Sequence, residues 1–173
     1  MNKRQILEIV LASLLALFLA GFIRVFFFDT YIVSNKSMET TFYEGDQILL
    51  LKNNFLFNKI KNFDVIVFRR GTNNLVKRVI GKEGDKVEIF DGGLYLNDEL
   101  IRHKYYIFSK DDNAVYNIGK DEYFVLGDNI ASSEDSRHFG FINKKDVVGH
   151  IILIFSPKRR FKLFNNFKSL SNY

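Results

Sequence analysis

Asp64-Val65-Ile66-Val67-Phe68-Arg69-Arg70-Gly71-Thr72-Asn73-Asn74-Leu75-Val76-Lys77-Arg78-Val79-Ile80-Gly81 is the stretch on which the fold turns. Two runs rich in β-branched residues, 64–68 and 75–80, flank a polar segment carrying Gly71 and two asparagines. Such residues suit a pleated, half-buried surface, and Gly/Asn clusters punctuate strands. Strand alternation sets Leu75, Lys77 and Val79 on one face and Val76, Arg78 and Ile80 on the other. Lys77 therefore has apolar neighbours on its own face, and Arg78 points away.

Outward from this stretch the same pattern recurs. Residues 31–33, 46–51, 86–90, 122–126 and 147–155 read as strands, with turns at 44–46, 81–85 and 91–93. Asp91-Gly92-Gly93 fits a hairpin from Ile89 to Leu94-Tyr95-Leu96. No helix-period segment of useful length follows residue 30. The expected fold is mainly β, an antiparallel β-sandwich or partly closed barrel. Residues 101–118 are polar and aromatic with weak periodicity, so about 100–120 is expected to be a loop or small subdomain.

Toward the N-terminus the character changes. Residues 6–28 are apolar apart from Glu8, Ser13 and Arg24. As a helix this run spans about 35 Å, against roughly 30 Å for a bilayer core. Its uncharged part, 9–23, gives only about 22 Å, which places Glu8 and Arg24 near the interfaces, Arg24 snorkelling. Lys3 and Arg4 favour an inside N-terminus. A cleaved secretory signal would carry a small-x-small site after the core; Ala16, Ala20 and Gly21 instead follow Leu14, Phe18 and Leu19 two positions earlier. The run is apolar on every side, unlike an amphipathic soluble helix. The expected organisation is a stub and transmembrane anchor over 1–28 and an extracytoplasmic β-domain over 29–173. That domain would sit on the outer face of the plasma membrane.

The 173 residues suit one domain plus something small. With no cysteine, disulfides, thiolate metal sites and a cysteine nucleophile are excluded. Net charge +5 suits contact with anionic lipid or nucleic acid and decides between neither; no convincing nucleic-acid patch, phosphate loop or metal constellation stands out. Aromatic clusters at Phe26-Phe27-Phe28 and Phe55-Leu56-Phe57, and the cationic-aromatic tail 157–164, suggest lipid contact.

Just after the apolar run comes Ser34-Asn35-Lys36-Ser37-Met38-Glu39-Thr40-Thr41-Phe42. Ser37 reads as a nucleophile and Lys77 as its base, since a neutral amine can take a hydroxyl proton. A free lysine has a pKa of about 10.4, so holding it half neutral at pH 7 needs a shift of roughly 3 units, about 4–5 kcal/mol, normally supplied by burial.

Four boxes in order resemble those of bacterial type I signal peptidase, the Ser/Lys-dyad serine protease family. They are Ser37-Met38-Glu39 with Thr41, then Asp64-Val65-Ile66-Val67-Phe68, then Lys77-Arg78-Val79-Ile80-Gly81 leading to Gly84-Asp85. The fourth is Gly127-Asp128-Asn129 leading to Ser133, Asp135-Ser136-Arg137 and Phe139-Gly140. The resemblance implies a membrane-anchored endopeptidase that removes signal peptides from preproteins after a small-x-small site, without metal or cofactor. It implies Ser37 and Lys77 as the dyad and Asn35 at the oxyanion hole. Ser133 would orient the Lys77 amine, and Arg78, Asp128, Asp135 and Arg137 would form supporting ion pairs. Tyr31, Val33, Met38, Phe42 and Val76 would line shallow substrate pockets. The chain departs from the family's pattern at Thr40, where Pro is usual, and at Lys82-Glu83, where Leu-Pro is usual. Three alternatives stand beside this reading: a self-cleaving Ser-Lys protein, a Ser-His hydrolase using His138 near Asp135, and an anchored domain that binds signal peptides without cutting them.

Overall fold

In the computed structural model, residues 2–52, 60–103 and 106–155 are described, together with the backbone of 161–163. Helix α1 (Lys3–Phe27) runs directly into β1 (Phe28–Ile32). The helix is about 37 Å long at 1.5 Å per residue, fully exposed along residues 2–26, and long and apolar enough to cross a membrane. Asn2 caps its start. At its other end Lys52 Nζ donates to the Val25 carbonyl at 2.8 Å, satisfying one of the carbonyls a helix terminus leaves without an intrahelical partner.

After β1 come β2 (Gln47–Lys52), β3 (Val65–Arg70), β4 (Asn73–Lys82), β5 (Lys86–Phe90), β6 (Gly93–Leu96), β7 (Glu99–Leu100), β8 (Ala114–Asn117) and β9 (Glu122–Leu126). The one-turn helix α2 (Ser136–Phe139), β10 (Ile142–Asn143), β11 (Val147–Phe155) and β12 (Phe161–Leu163) complete the order. The larger sheet runs β1-β2-β11-β3-β4-β9-β10, with β12 beside β11; the smaller runs β7-β6-β5-β8. Among the described residues all pairings are antiparallel, and neither path closes into a ring.

Alternation accounts for the layering. On β3, Val65 and Val67 join one buried cluster with Met38, Phe42 and Leu50, while Ile66 and Phe68 join another with Val79 and Val125. β3 is thus covered on both sides, which explains its unbroken apolar run. A third cluster, built on Ile80, Val87, Leu94, Phe124 and Leu126, packs the smaller sheet against β4 and β9. The β5–β6 hairpin forms in the expected register, Ile89 opposite Leu94, around Asp91 and Gly92 at φ +44° and +78°. Those two angles give the turn sense that matches strand twist.

The 100–120 region is ordered in part by the smaller sheet. Ala114–Asn117 is a strand, β8, that pairs with β5, and Tyr106, Phe108 and Ile118 are buried in the third cluster. Burial of its aromatic residues, rather than any period in the sequence, orders this segment. The Phe55-Leu56-Phe57 cluster and residues 157–160 and 164 of the tail lie outside the described residues.

Candidate active site

β4 carries the site where it loses a neighbour. It pairs with β3 from Asn73 to Arg78, but with β9 only from Arg78 opposite Leu126 onward. Beyond Leu126 the chain turns away at 127–129, and the 34–42 loop packs against that turn. Asn129 N–H donates to the Ser37 carbonyl at 3.0 Å, and Asn129 Nδ2 donates to the Lys36 carbonyl at 3.2 Å.

In this corner Lys77 Nζ lies 2.6 Å from Ser37 Oγ. The two residues are 3% and 5% exposed. Burial pulls the Lys77 amine down to about 8, against the opposing attraction of Asp135, Asp128 and Glu134. About a tenth of such amines are neutral at pH 7, where a free lysine would have well under one in a thousand.

Next to Lys77 is a buried ion pair. Arg78 donates from Nε to Asp128 Oδ1 at 2.8 Å and from Nη2 to Oδ2 at 2.6 Å, a two-pronged arrangement. Burial works against the Asp128 charge, but the Arg78 charge and its hydrogen bonds hold the carboxyl below its ordinary range. Thr41 Oγ1 at 2.5 Å and the Tyr106 hydroxyl at 3.0 Å also donate to Asp128. Arg78 Nη1 donates to the Phe63 carbonyl at 2.9 Å. Asp135 accepts from Arg137 Nε at 2.8 Å and from the Gly127 N–H at 3.1 Å, which ties the turn after β9 to α2.

The family model "Signal peptidase, peptidase S26" matches residues 6–156. The chain belongs to this family of signal peptidases. Signal peptidase I P of Bacillus subtilis subsp. natto is 33% identical over 175 residues, covering 93% of this chain and 95% of the relative. A protein named "Inactive signal peptidase IA", from Staphylococcus aureus strain MRSA252, is 29% identical over 163 residues, covering 89% and 94%. The crystal structure of a signal peptidase I from Enterococcus faecalis V583 is similar at 32% identity and a TM-score of 0.47, over 54% of this chain and 97% of that one. Since similar proteins include an inactive one, family membership alone leaves the activity of this signal peptidase homologue to its own residues.

Most of the expected site residues converge. Tyr31, Val33, Met38, Phe42 and Val76 line a single cavity of about 40 Å³ together with Asn35, room for little more than a methyl-sized group. His138 lies elsewhere in role: its ring is half exposed and its Nδ1 accepts from the Asp135 N–H within the cap of α2. Ser37 Oγ bonds instead to Lys77 and Asn35.

Two of the expected residues make contacts other than those the resemblance implies. Asn35 does not present a donor: its Oδ1 accepts from the Ser37 hydroxyl at 2.9 Å and from the Ser37 N–H at 3.3 Å. An N–H must face an acceptor, and that orients the carboxamide. Ser133 does not hydrogen-bond to Lys77. Its Oγ is buried without a hydrogen bond, pressed against the backbone of Gly127.

Gly127 marks that close approach. A Cβ there would lie 2.2 Å from Ser133 Oγ and 2.4 Å from the Ser37 carbonyl, so one of them would have to move. Gly127→Ala is expected to displace the Ser37 loop and lower preprotein cleavage by about 10²-fold, the usual cost of misplacing a reacting group by about 1 Å. Turnover measured beside thermal unfolding checks this. Unfolding without a prior loss of turnover would contradict it.

Sequence reasoning missed Tyr106, which sits in the segment without periodicity yet reaches Asp128. The two departures from the family's pattern also find physical accounts. Thr40 has φ +93°, which a proline ring fixed near −65° cannot adopt, so this loop follows a path closed to the family's usual residue. At Lys82-Glu83 the turn is held by polar ties: Lys82 pairs with Asp85 at 3.3 Å, and Glu83 accepts from the Asp121 N–H at 3.1 Å.

Proposed function

We propose that this chain is a membrane-anchored serine endopeptidase that removes N-terminal signal peptides after a small-x-small site. What carries the reading is the 2.6 Å separation of Lys77 Nζ and Ser37 Oγ inside a buried corner. The anchor would be residues 1–28 with its N-terminus in the cytoplasm, and the catalytic domain residues 29–173 on the outer face.

The substrate would bind extended, adding to the β4 edge left open before Arg78, with alternate side chains entering pockets. A cavity of about 40 Å³ beside Asn35 suits an alanine-sized side chain. Neutral Lys77 would take the Ser37 hydroxyl proton as Oγ bonds to the scissile carbonyl carbon. The oxyanion would then collapse, breaking the C–N bond, and the Lys77 ammonium would protonate the leaving amine. Water, deprotonated by the same amine, would hydrolyse the acyl-enzyme and release the signal peptide. Arg78, Asp128, Asp135 and Arg137 would hold the two loops in register around these groups.

The test is incubation of the full chain, in detergent or vesicles, with a preprotein carrying such a site. Cleavage after the small-x-small segment, absent in Ser37→Ala, is the expected outcome. Intact preprotein after long incubation, with peptide still bound, would favour a non-cutting binding domain instead. The rate should also depend on pH. The reactive form is the neutral amine, so cleavage should rise about tenfold per pH unit up to about 8 and level off above it. A profile already flat at pH 6 would contradict Lys77 as the base.

A further inference from the structure

Three segments distant in sequence meet at the Asp128 carboxylate. Arg78 comes from β4, Thr41 from the Ser37 loop, and Tyr106 from the segment packed on the smaller sheet. A carboxylate offers about four lone-pair sites. Arg78 Nε and the Tyr106 hydroxyl take Oδ1; Arg78 Nη2 and Thr41 Oγ1 take Oδ2. An ionised carboxylate only accepts, so chemistry fixes the direction of both hydroxyl bonds. Burial and the Asp128 charge push the Tyr106 hydroxyl well above its ordinary range, so it keeps the proton it donates. Asp128 is 0% exposed and Tyr106 4%, which leaves solvent poorly placed to replace that donor. The tyrosine is itself held from the far side. The Phe108 N–H donates to the Gly92 carbonyl in the β5–β6 turn at 3.2 Å, and Tyr106 and Phe108 are buried in the third cluster while Ile107 between them is exposed.

We infer that Tyr106 is a positioning residue for Ser37: from the smaller sheet its hydroxyl fixes the Asp128 carboxylate on Thr41, and so holds the 34–42 loop against the turn after β9. This rests on Ser37 being the nucleophile. The last torsion of an aspartate is broad, so the carboxylate takes its orientation from its donors. The other ties of the loop to this turn are Asn129 N–H to the Ser37 carbonyl at 3.0 Å and Asn129 Nδ2 to the Lys36 carbonyl at 3.2 Å. They come from the residue next to Asp128, so a carboxylate that swings loosens Thr41 and disturbs the neighbouring ties. The reacting oxygen moves with its loop, and its 2.6 Å approach to Lys77 Nζ is lost for part of the time. Tyr106 thus acts at one remove, through Asp128, and the smaller sheet becomes part of what sets the dyad's geometry.

The test uses the full chain with Tyr106→Phe, which keeps the ring in its cluster and removes only the hydroxyl, and Thr41→Val, which removes the hydroxyl on the other oxygen. Ile89→Val trims the same cluster on β5 and serves as the control for packing alone. Preprotein cleavage is measured well below the melting temperature of every variant, where all are folded. In Tyr106→Phe kcat should fall about tenfold or more, part of the roughly 10²-fold that a 1 Å misplacement costs; in Ile89→Val it should match the parent. The double variant Tyr106→Phe with Thr41→Val should lose far less than the product of the two single losses, because both act through one carboxylate. A parental kcat in Tyr106→Phe, or an equal fall in Ile89→Val, would reduce Tyr106 to packing. A multiplicative loss in the double variant would overturn the shared route. In the free proteins, hydrogen exchange at the Asn129 amide should be about tenfold faster in Tyr106→Phe than in the parent, the effect of weakening the loop's hold by about one hydrogen bond; equal exchange would overturn the tie. If the parent cleaves nothing, the functional reading fails, while the exchange at Asn129 still decides whether Tyr106 holds the Ser37 loop.

Discussion

Lys77→Ala is expected to lower preprotein cleavage by about 10⁴–10⁶-fold while leaving the protein folded, a loss of the size seen when a serine enzyme loses its base. Lys77 Nζ meets Ser37 Oγ at 2.6 Å, and the described residues offer no second base hydrogen-bonded to that hydroxyl. The side chain is buried, and burial disfavours its charge. Truncation therefore removes an unfavourable desolvation as well as some packing, and the net effect on stability should be small. Lys77→Arg sharpens the test. A guanidinium keeps the length and charge but does not deprotonate in proteins, so a positioning cation would survive the change and a proton acceptor would not. Cleavage within tenfold of the parent in Lys77→Arg would refute the base.

Asp128→Ala is expected to produce the largest loss of stability, about 3–5 kcal/mol, because it leaves the buried Arg78 guanidinium without its counter-charge. Against a total of about 5–15 kcal/mol for a typical domain, that corresponds to a fall in melting temperature of about 10 °C or more. Three donors besides the Arg78 Nε lose their acceptor together: Arg78 Nη2, Thr41 Oγ1 and the Tyr106 hydroxyl. Because Thr41 lies in the Ser37 loop, cleavage should fall with stability. A neutral replacement of both partners, Arg78→Met with Asp128→Leu, should recover part of the stability and none of the loop's tie to Thr41. The pair also sets a pH dependence. Asp128 is held below its ordinary range, so the unfolded chain binds its proton first as pH falls. The stabilisation is complete above the ordinary carboxylate range and is lost on acidification through the lower folded value. Calorimetry on the single and double variants checks both statements; an unchanged melting temperature in Asp128→Ala would contradict them.

What could be read from the sequence was whatever local chemistry determines. Val65 to Phe68 and Leu75 to Ile80 carry their strand in their residue types, and Asp91-Gly92 carries its turn in two backbone angles that few other pairs adopt. The long apolar run carries its helix in composition alone. Tyr106 and Phe108 could not be read in this way, because their burial comes from packing against strands far along the chain. β8, four residues long, is a strand because β5 offers it an edge. At the site, residue types were legible and orientations were not. An asparagine amide presents a donor or an acceptor, and only the Ser37 N–H beside it decides which. Ser133 Oγ lies against the Gly127 backbone, a contact that depends on a turn whose path no local pattern encodes.

The sharpest single measurement is a titration of the Lys77 amine by nitrogen NMR in the full chain, with the lysine signal assigned through Lys77→Arg. A midpoint near 8 is expected, well below the 10.5 of an unperturbed lysine. A midpoint above 10 would mean an amine that stays charged at neutral pH, unable to accept the Ser37 proton.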